Sequence, residues 1–289
     1  MKLPERISEI TLHNIYSDAG GFPYPLGFHP FTECASDEGD VLGLYWPVGM
    51  EDQPPLVAAR WHDSWEITPI YSSLEQFLNE WAMVRKNEDW DVWRDVVLGS
   101  PKISTSPLSP FNLYSNAQKA IEQDEPHVAI TALVKALTAL PEYSAGSSLL
   151  YAQYRRVGDN DSAIRTALNS IVSPISFGWR DMAVVRWLQL QESCPDDVAS
   201  DPIWTNRKRM TGRYGGTKEN DNYLVFNEAI QCYVEMDDDW TAIVLSITYG
   251  ELMCRETVSF QERYGFDKKQ YIPNLRALIQ RVGGSSRDL

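Results

Sequence analysis

The hydrophobic period of this chain changes once, and the change falls on a segment that cannot sit inside a regular element. Residues Gly99 to Pro110, GSPKISTSPLSP, set three prolines among serines and a threonine. Each proline lacks an amide donor, so the segment continues neither a helix nor a central strand. Before it, short apolar runs are bounded by turn residues. After it, apolar residues recur at helical spacing. The break predicts an acidic α+β part over residues 1–105 and an all-α part over residues 106–289, and a length of 289 residues suits two such parts.

In the first part, Pro4 to Ile15 is predicted as a short helix, with Pro at its first turn and Ile7 and Ile10 on one face. Asp18 to Pro30 reads as a loop rich in Gly, Pro and aromatic residues. Val41–Trp46 and Leu56–Trp61 suit buried strands, and Trp65–Thr68 a shorter third one. Ser72-x-x-Glu75 has the spacing of a capping box. It opens a helix whose apolar face carries Leu74, Phe77, Leu78, Trp81 and Val84.

Gly39-Asp40-Val41-Leu42-Gly43-Leu44, Pro54-Pro55-Leu56-Val57, Trp65, Pro69 and Ser72–Leu78 together resemble the core of the SUKH superfamily, over roughly residues 1–100. That superfamily includes fungal cell-wall-assembly regulators and bacterial toxin-immunity proteins. Its members carry a longer amphipathic helix and a Leu-Pro-x-x-Tyr/Phe turn before the first strand, which Leu3-Pro4-Glu5-Arg6-Ile7 only abbreviates.

In the second part the chain resembles itself at an offset of 34 residues. Ala129-Ile130 matches Ala163-Ile164, Ala120 matches Tyr154, and Asp124-Glu125 matches Gly158-Asp159. This offset is the tetratricopeptide period, and the segment resembles that repeat family. Small residues fall where two helices must approach closely, and Pro141 closes the first unit. Tyr233 through Ala242-Ile243 repeats Tyr154 through Ala163-Ile164 at an offset of 79, implying an insertion between them. Hairpins are expected at about 110–143, 144–177 and 219–260. Asp237, Asp238 and Asp239 precede a helix with Trp240, Ile243, Val244 and Ile247, as cap and dipole partners. Pro273 is expected to open a final helix, stopped by Gly283-Gly284.

Charge separates the two parts as well. Residues 1–100 hold 17 acidic and 6 basic side chains, a net of −11, against −3 for residues 101–289. So acidic a first part repels nucleic acid and anionic membrane, and steers basic partners toward itself. No run of about 18 apolar residues is present, so no membrane span is expected. The start MKLPERISEITL has no apolar stretch of the secretory kind. Cys34, Cys194, Cys232 and Cys254 lack paired spacing and read as free thiols in a reducing, cytoplasmic setting.

Chemistry-bearing motifs are sparse. Gly212-Arg213-Tyr214-Gly215-Gly216-Thr217-Lys218 is Gly-rich, but Thr precedes Lys and no buried strand leads into it, against the P-loop order. Arg207, Lys208, Arg209 and Arg213 with Trp204 and Tyr214 interleave base and aromatic, and read as a counterweight to acidic neighbours. His62, next to Asp63, is the best single catalytic candidate, yet neighbours along a strand point to opposite faces. No Gly-x-Ser-x-Gly elbow or metal-ligand spacing accompanies it. No catalytic residue, metal or cofactor is expected.

Recognition is what these residues favour. Six of the ten tryptophans fall in the first 100 residues, and Trp is enriched at interface hot spots. The expected partner surface comprises Asp37, Glu38, Asp40, Glu51, Asp52, Trp61, Asp63 and Trp65. The resemblance implies a non-enzymatic immunity protein that occludes a cognate toxin, with a basic nuclease best suited to the charge. The alternatives are a scaffold that assembles proteins through its helical repeats, and an enzyme that binds nucleotide at Gly212–Lys218.

Overall fold

The computed structural model describes residues 5–9, 11–12, 27–35, 40–61, 66–87, 106–178, 182–211 and 221–283. Four strands, β1 (Phe28–Ala35), β2 (Val41–Tyr45), β3 (Leu56–Arg60) and β4 (Ile67–Tyr71), form one antiparallel sheet in the order β1-β2-β3-β4. Helix α1 (Leu74–Asn87) follows. The rest is helical: an α+β part precedes an all-α part.

Both faces of the sheet are buried, which is why its strands read as near-continuous apolar runs. Alternate residues serve opposite faces. Leu42, Leu44, Val57, Ala59 and Tyr71 pack with Leu74, Phe77, Leu78 and Trp81 of α1. Tyr45, Leu56, Ala58 and Ile67 turn the other way, against the helical part.

Four local readings are corrected. Strand β1 takes in Phe28–Pro30, read as loop because of its proline; β1 is an edge strand, where a missing amide costs no ladder bond. Gly43 faces Pro30 across the ladder, and a Cβ there would stand 2.5 Å from the His29 carbonyl oxygen, so only glycine permits the pairing. At the N-terminus the described helix is a 3-10 turn, Glu5–Glu9, and Leu12 bridges Phe31 instead. The α1 cap is Ser73, one residue on: its Oγ accepts from the Gln76 amide at 3.3 Å. Pro273 lies inside the last helix, whose cap is Asp267, accepting from the Lys269 amide.

Beyond Ser106 come α2 (Pro110–Glu122), α3 (Pro126–Ala139), α4 (Ser144–Arg156), α5 (Asn160–Val172), α6 (Ala183–Gln189), α7 (Pro202–Asn206), α8 (Asp221–Glu235), α9 (Asp239–Met253), α10 (Val258–Arg263) and α11 (Lys268–Arg281). Three pairs share one turn. Asp124 (φ 64°), Gly158 (φ 81°) and Asp237 (φ 59°) adopt the left-handed conformation one residue beyond the residue that follows α2, α4 and α8. The next amide in each returns to a carbonyl five residues back: Glu125 to Ala120, Asp159 to Tyr154, Asp238 to Tyr233. This is a Schellman closure. The self-similarity at 34 and 79 residues therefore coincides with repetition of one helix–turn–helix geometry.

The helices do not stand apart from the sheet. Leu113, Ala136, Leu140, Tyr143 and Phe177 cover its second face. Glu142, buried in the α3–α4 turn, accepts from Tyr45 Oη at 2.6 Å and from the Val48 amide at 2.8 Å. Val48, in the β2–β3 turn, packs with Ile243 and Ile247 of α9 and Leu275 and Ile279 of α11. Ser106 ties the start of the helical part to the β4–α1 turn, its Oγ accepting from the Ser72 amide at 2.9 Å.

Candidate functional site

The eight residues expected to meet a partner separate by burial. Asp40 and Glu51 are each 8 % exposed, too enclosed for a partner to reach. Glu51 turns into its own loop, where Oε1 accepts from the Gly49 amide at 3.3 Å. Trp61 is half-buried rather than exposed: it packs on the α1-side core, and its Nε1 donates to Thr68 Oγ1 at 3.0 Å. Asp52 is exposed. Asp37, Glu38, Asp63 and Trp65 lie outside the described residues, as do His62 and the Gly212–Lys218 loop.

The surface that joins an exposed aromatic ring to free acids lies where the two parts of the chain meet. The β2–β3 turn is closed by the Met50 amide on the Pro47 carbonyl and the Gln53 amide on the Met50 carbonyl. Gly49 in that turn has φ +78°, and the ring of Trp240 stands 3.4 Å from where its Cβ would be. Trp240 remains 41 % exposed and Met236 50 %. Asp52 in the same turn and Asp237 in the α8–α9 connection are both exposed.

Local chemistry fixes this junction. Asp238 caps α9, accepting from the Thr241 amide at 3.3 Å, and Asp239 pairs with Arg281 at 3.4 Å. Two of the three acids thus hold the helix, leaving Asp237 to the surface. The sequence sets Trp240 in one helical series with Ile243, Val244 and Ile247. Its position in the first turn, one residue after the capping acids, carries it past the packed face. That position was the available signal.

Other clusters resolve into structure. Arg207 stacks 3.6 Å over the Trp204 ring and donates to the Trp204 and Gln191 carbonyls. Arg209 forms a forked pair with Glu228 at 2.6 and 3.1 Å. His29 is buried edge-on to Trp46, and His127 is exposed near the start of α3. Cys194, Cys232 and Cys254 are free thiols, and burial pushes Cys254 up to about 11, so it stays protonated. Among the described residues no group of three or more His, Cys, Asp or Glu could hold a metal ion, and no helix is long and apolar enough to cross a membrane.

A small sheet sealed between one helix and a helical array, with an acidic and aromatic junction at the seam, describes the chain by its architecture. Its family follows from likeness. Residues 14–92 match the YfbP N-terminal domain, and residues 213–287 match the YfbP C-terminal domain. The chain is 32 % identical over 289 residues to a protein of Escherichia coli (strain K12) described as "Uncharacterized protein YfbP", covering 99 % of each. The chain belongs to the YfbP family. No solved structure matches it. Gly49 and Asp52 come from the first matched segment and Trp240 from the second, so the junction is built by both.

Proposed function

We propose that this chain is a non-enzymatic protein-binding protein of the cytoplasm, whose partner is a basic protein held at the junction of Asp52, Asp237, Met236 and Trp240. The observation that carries the reading is the exposed Trp240 ring seated on Gly49, with exposed acids, Asp52 and Asp237, on the two segments that meet there. A half-exposed Trp with a fixed backing offers a large rigid contact, and acids around it suit a lysine or arginine over the ring. The SUKH and tetratricopeptide resemblances favour a toxin-immunity role, in which the partner is a toxin occluded by binding. Asp37, Glu38, Asp63 and Trp65 belong to the same proposal as further contacts.

The test is genetic first and kinetic second. An immunity gene sits beside its toxin, so the neighbouring gene product is expressed with and without this chain; survival only in its presence supports the reading. Binding of the purified pair is then followed at two ionic strengths. Asp52→Asn with Asp237→Asn is expected to slow association and flatten its salt dependence. Trp240→Ala is expected to speed dissociation, by a loss on the order of 2 kcal/mol. A harmless neighbour, with survival independent of this chain, favours instead a scaffold acting through the helical array.

A further inference from the structure

Helices α8 and α11 both pack against α9, leaving between them a groove of about 690 Å³. Asn227 and Gln231 line it from α8, and Gln270 and Asn274 from α11. All four are exposed, and none has a side-chain hydrogen bond among the described residues. The floor holds Tyr249, only 8 % exposed, whose hydroxyl also has no hydrogen-bond partner among the described residues. Burial pushes that phenol up to about 12, so it is a neutral donor at ordinary pH. Water reaches that hydroxyl, and a group of a ligand in the groove can take the water's place. Ile230, Val234, Phe266 and Leu278 supply apolar lining between the amides.

We propose that this groove binds an extended, uncharged peptide segment of a partner protein, recognised through its backbone by the four carboxamides and the Tyr249 hydroxyl. Each carboxamide offers one acceptor and a donor pair, the complement of a peptide group. The two on each helix are four residues apart, about 6 Å along the axis. Alternate residues of an extended chain are about 6.6 Å apart, so successive amides meet successive peptide groups of one edge, and the side chains between them fall toward the apolar lining. The 14 residues of α11 span about 21 Å, room for about six extended residues. Charge agrees. In a chain of net −14, the only charged groove-lining residues among those described are Asp267 and Arg281, at opposite ends of α11, already engaged as a helix cap and with Asp239. This site is separate from the Trp240 junction and stands or falls independently of it.

The test uses the full chain and a phage-displayed library of random heptapeptides. Recovered sequences are made as free peptides and titrated calorimetrically. Enrichment of peptides without charge at their centre is expected. Gln231→Ala with Asn274→Ala, both exposed and checked by thermal melt, should weaken binding at least about tenfold, and Tyr249→Phe severalfold, as lost hydrogen bonds do. N-methylation of alternate backbone amides, with every side chain kept, should abolish it. Asp52→Asn and Trp240→Ala should leave peptide affinity unchanged, which separates this site from the junction. The proposal is overturned if no sequence is enriched, if N-methylated peptides or the double variant bind as the originals do, or if the junction variants remove binding. It is also overturned if maltopentaose, rather than any peptide, raises the melting temperature of the wild type and not of the double variant.

Discussion

Glu251 shows how one side chain can set the conditions under which the helical core is stable. It lies in α9, 4 % exposed, with Oε2 accepting from the Ser176 amide at 3.1 Å and Oε1 without a hydrogen bond. Desolvation pushes its carboxyl up to about 6, against smaller opposing effects of Ser176 and Arg255. The unfolded carboxyl ionises near 4.5, so the folded chain holds this proton more tightly than the unfolded one. The sign follows: the stabilisation is fully present below about 4.5 and lost as pH rises through about 6. Glu251→Gln keeps the shape and cannot ionise. Relative to the wild type, the variant should gain on the order of 2 kcal/mol between pH 4 and pH 7.5, read from urea midpoints at both pH values. A difference that stays constant with pH would show that Glu251 is not desolvated as described.

At the scale of elements, the three helix–turn–helix units test one backbone rule in two directions. Gly158 takes φ +81° with open space around its Cβ position, so Gly158→Ala meets no neighbour and feels only the left-handed conformation. A cost of about 1 kcal/mol is expected. Asp237 takes φ 59° without glycine, so Asp237→Gly should be neutral or stabilising by up to about 1 kcal/mol. Equal and same-signed effects would sink the shared-turn account. This turn was legible because its flanking residues repeat: Ala129, Ala163 and Ala242 are all fully buried where helices meet. The central strands were legible because a sheet buried on both faces leaves unbroken apolar runs. Strand β1 was not, since Pro30 is permitted only by its place at the sheet edge, which no local pattern encodes. The acids misled for a related reason. Exposure is a tertiary property, and Glu51 satisfies its carboxylate inside its own turn. The groove was hidden because Asn227 and Gln231 meet Gln270 and Asn274, each 43 residues further on, only once their two helices pack on a third.

For the whole molecule, the sheet is the shared wall of two cores. Phe28, Tyr45, Leu56 and Ile67 on one side and Leu113, Leu140, Tyr143 and Phe177 on the other are all buried, each large apolar side chain contributing about 1.5–3 kcal/mol. Glu142 crosses the same seam, and Val48 extends it to α9 and α11. The change of pattern at residues 99–110 therefore marks a change of architecture without marking two independent bodies. A protease site engineered at residue 100 makes this testable. After cleavage the halves should co-elute on size exclusion and separate only in denaturant. Residues 106–289 expressed alone should bind a hydrophobic dye and melt below the full chain, because Leu140, Tyr143, Phe177, Ile243 and Ile247 lose their cover. Glu142→Ala leaves the Tyr45 hydroxyl and the Val48 amide facing a buried gap, and should lower stability by about 2–3 kcal/mol in the full chain. In the isolated fragment, where neither donor exists, the same change should cost far less. A fragment that is monomeric, dye-negative and as stable as the full chain would mean that the seam is an accessory contact, and that the two parts fold independently.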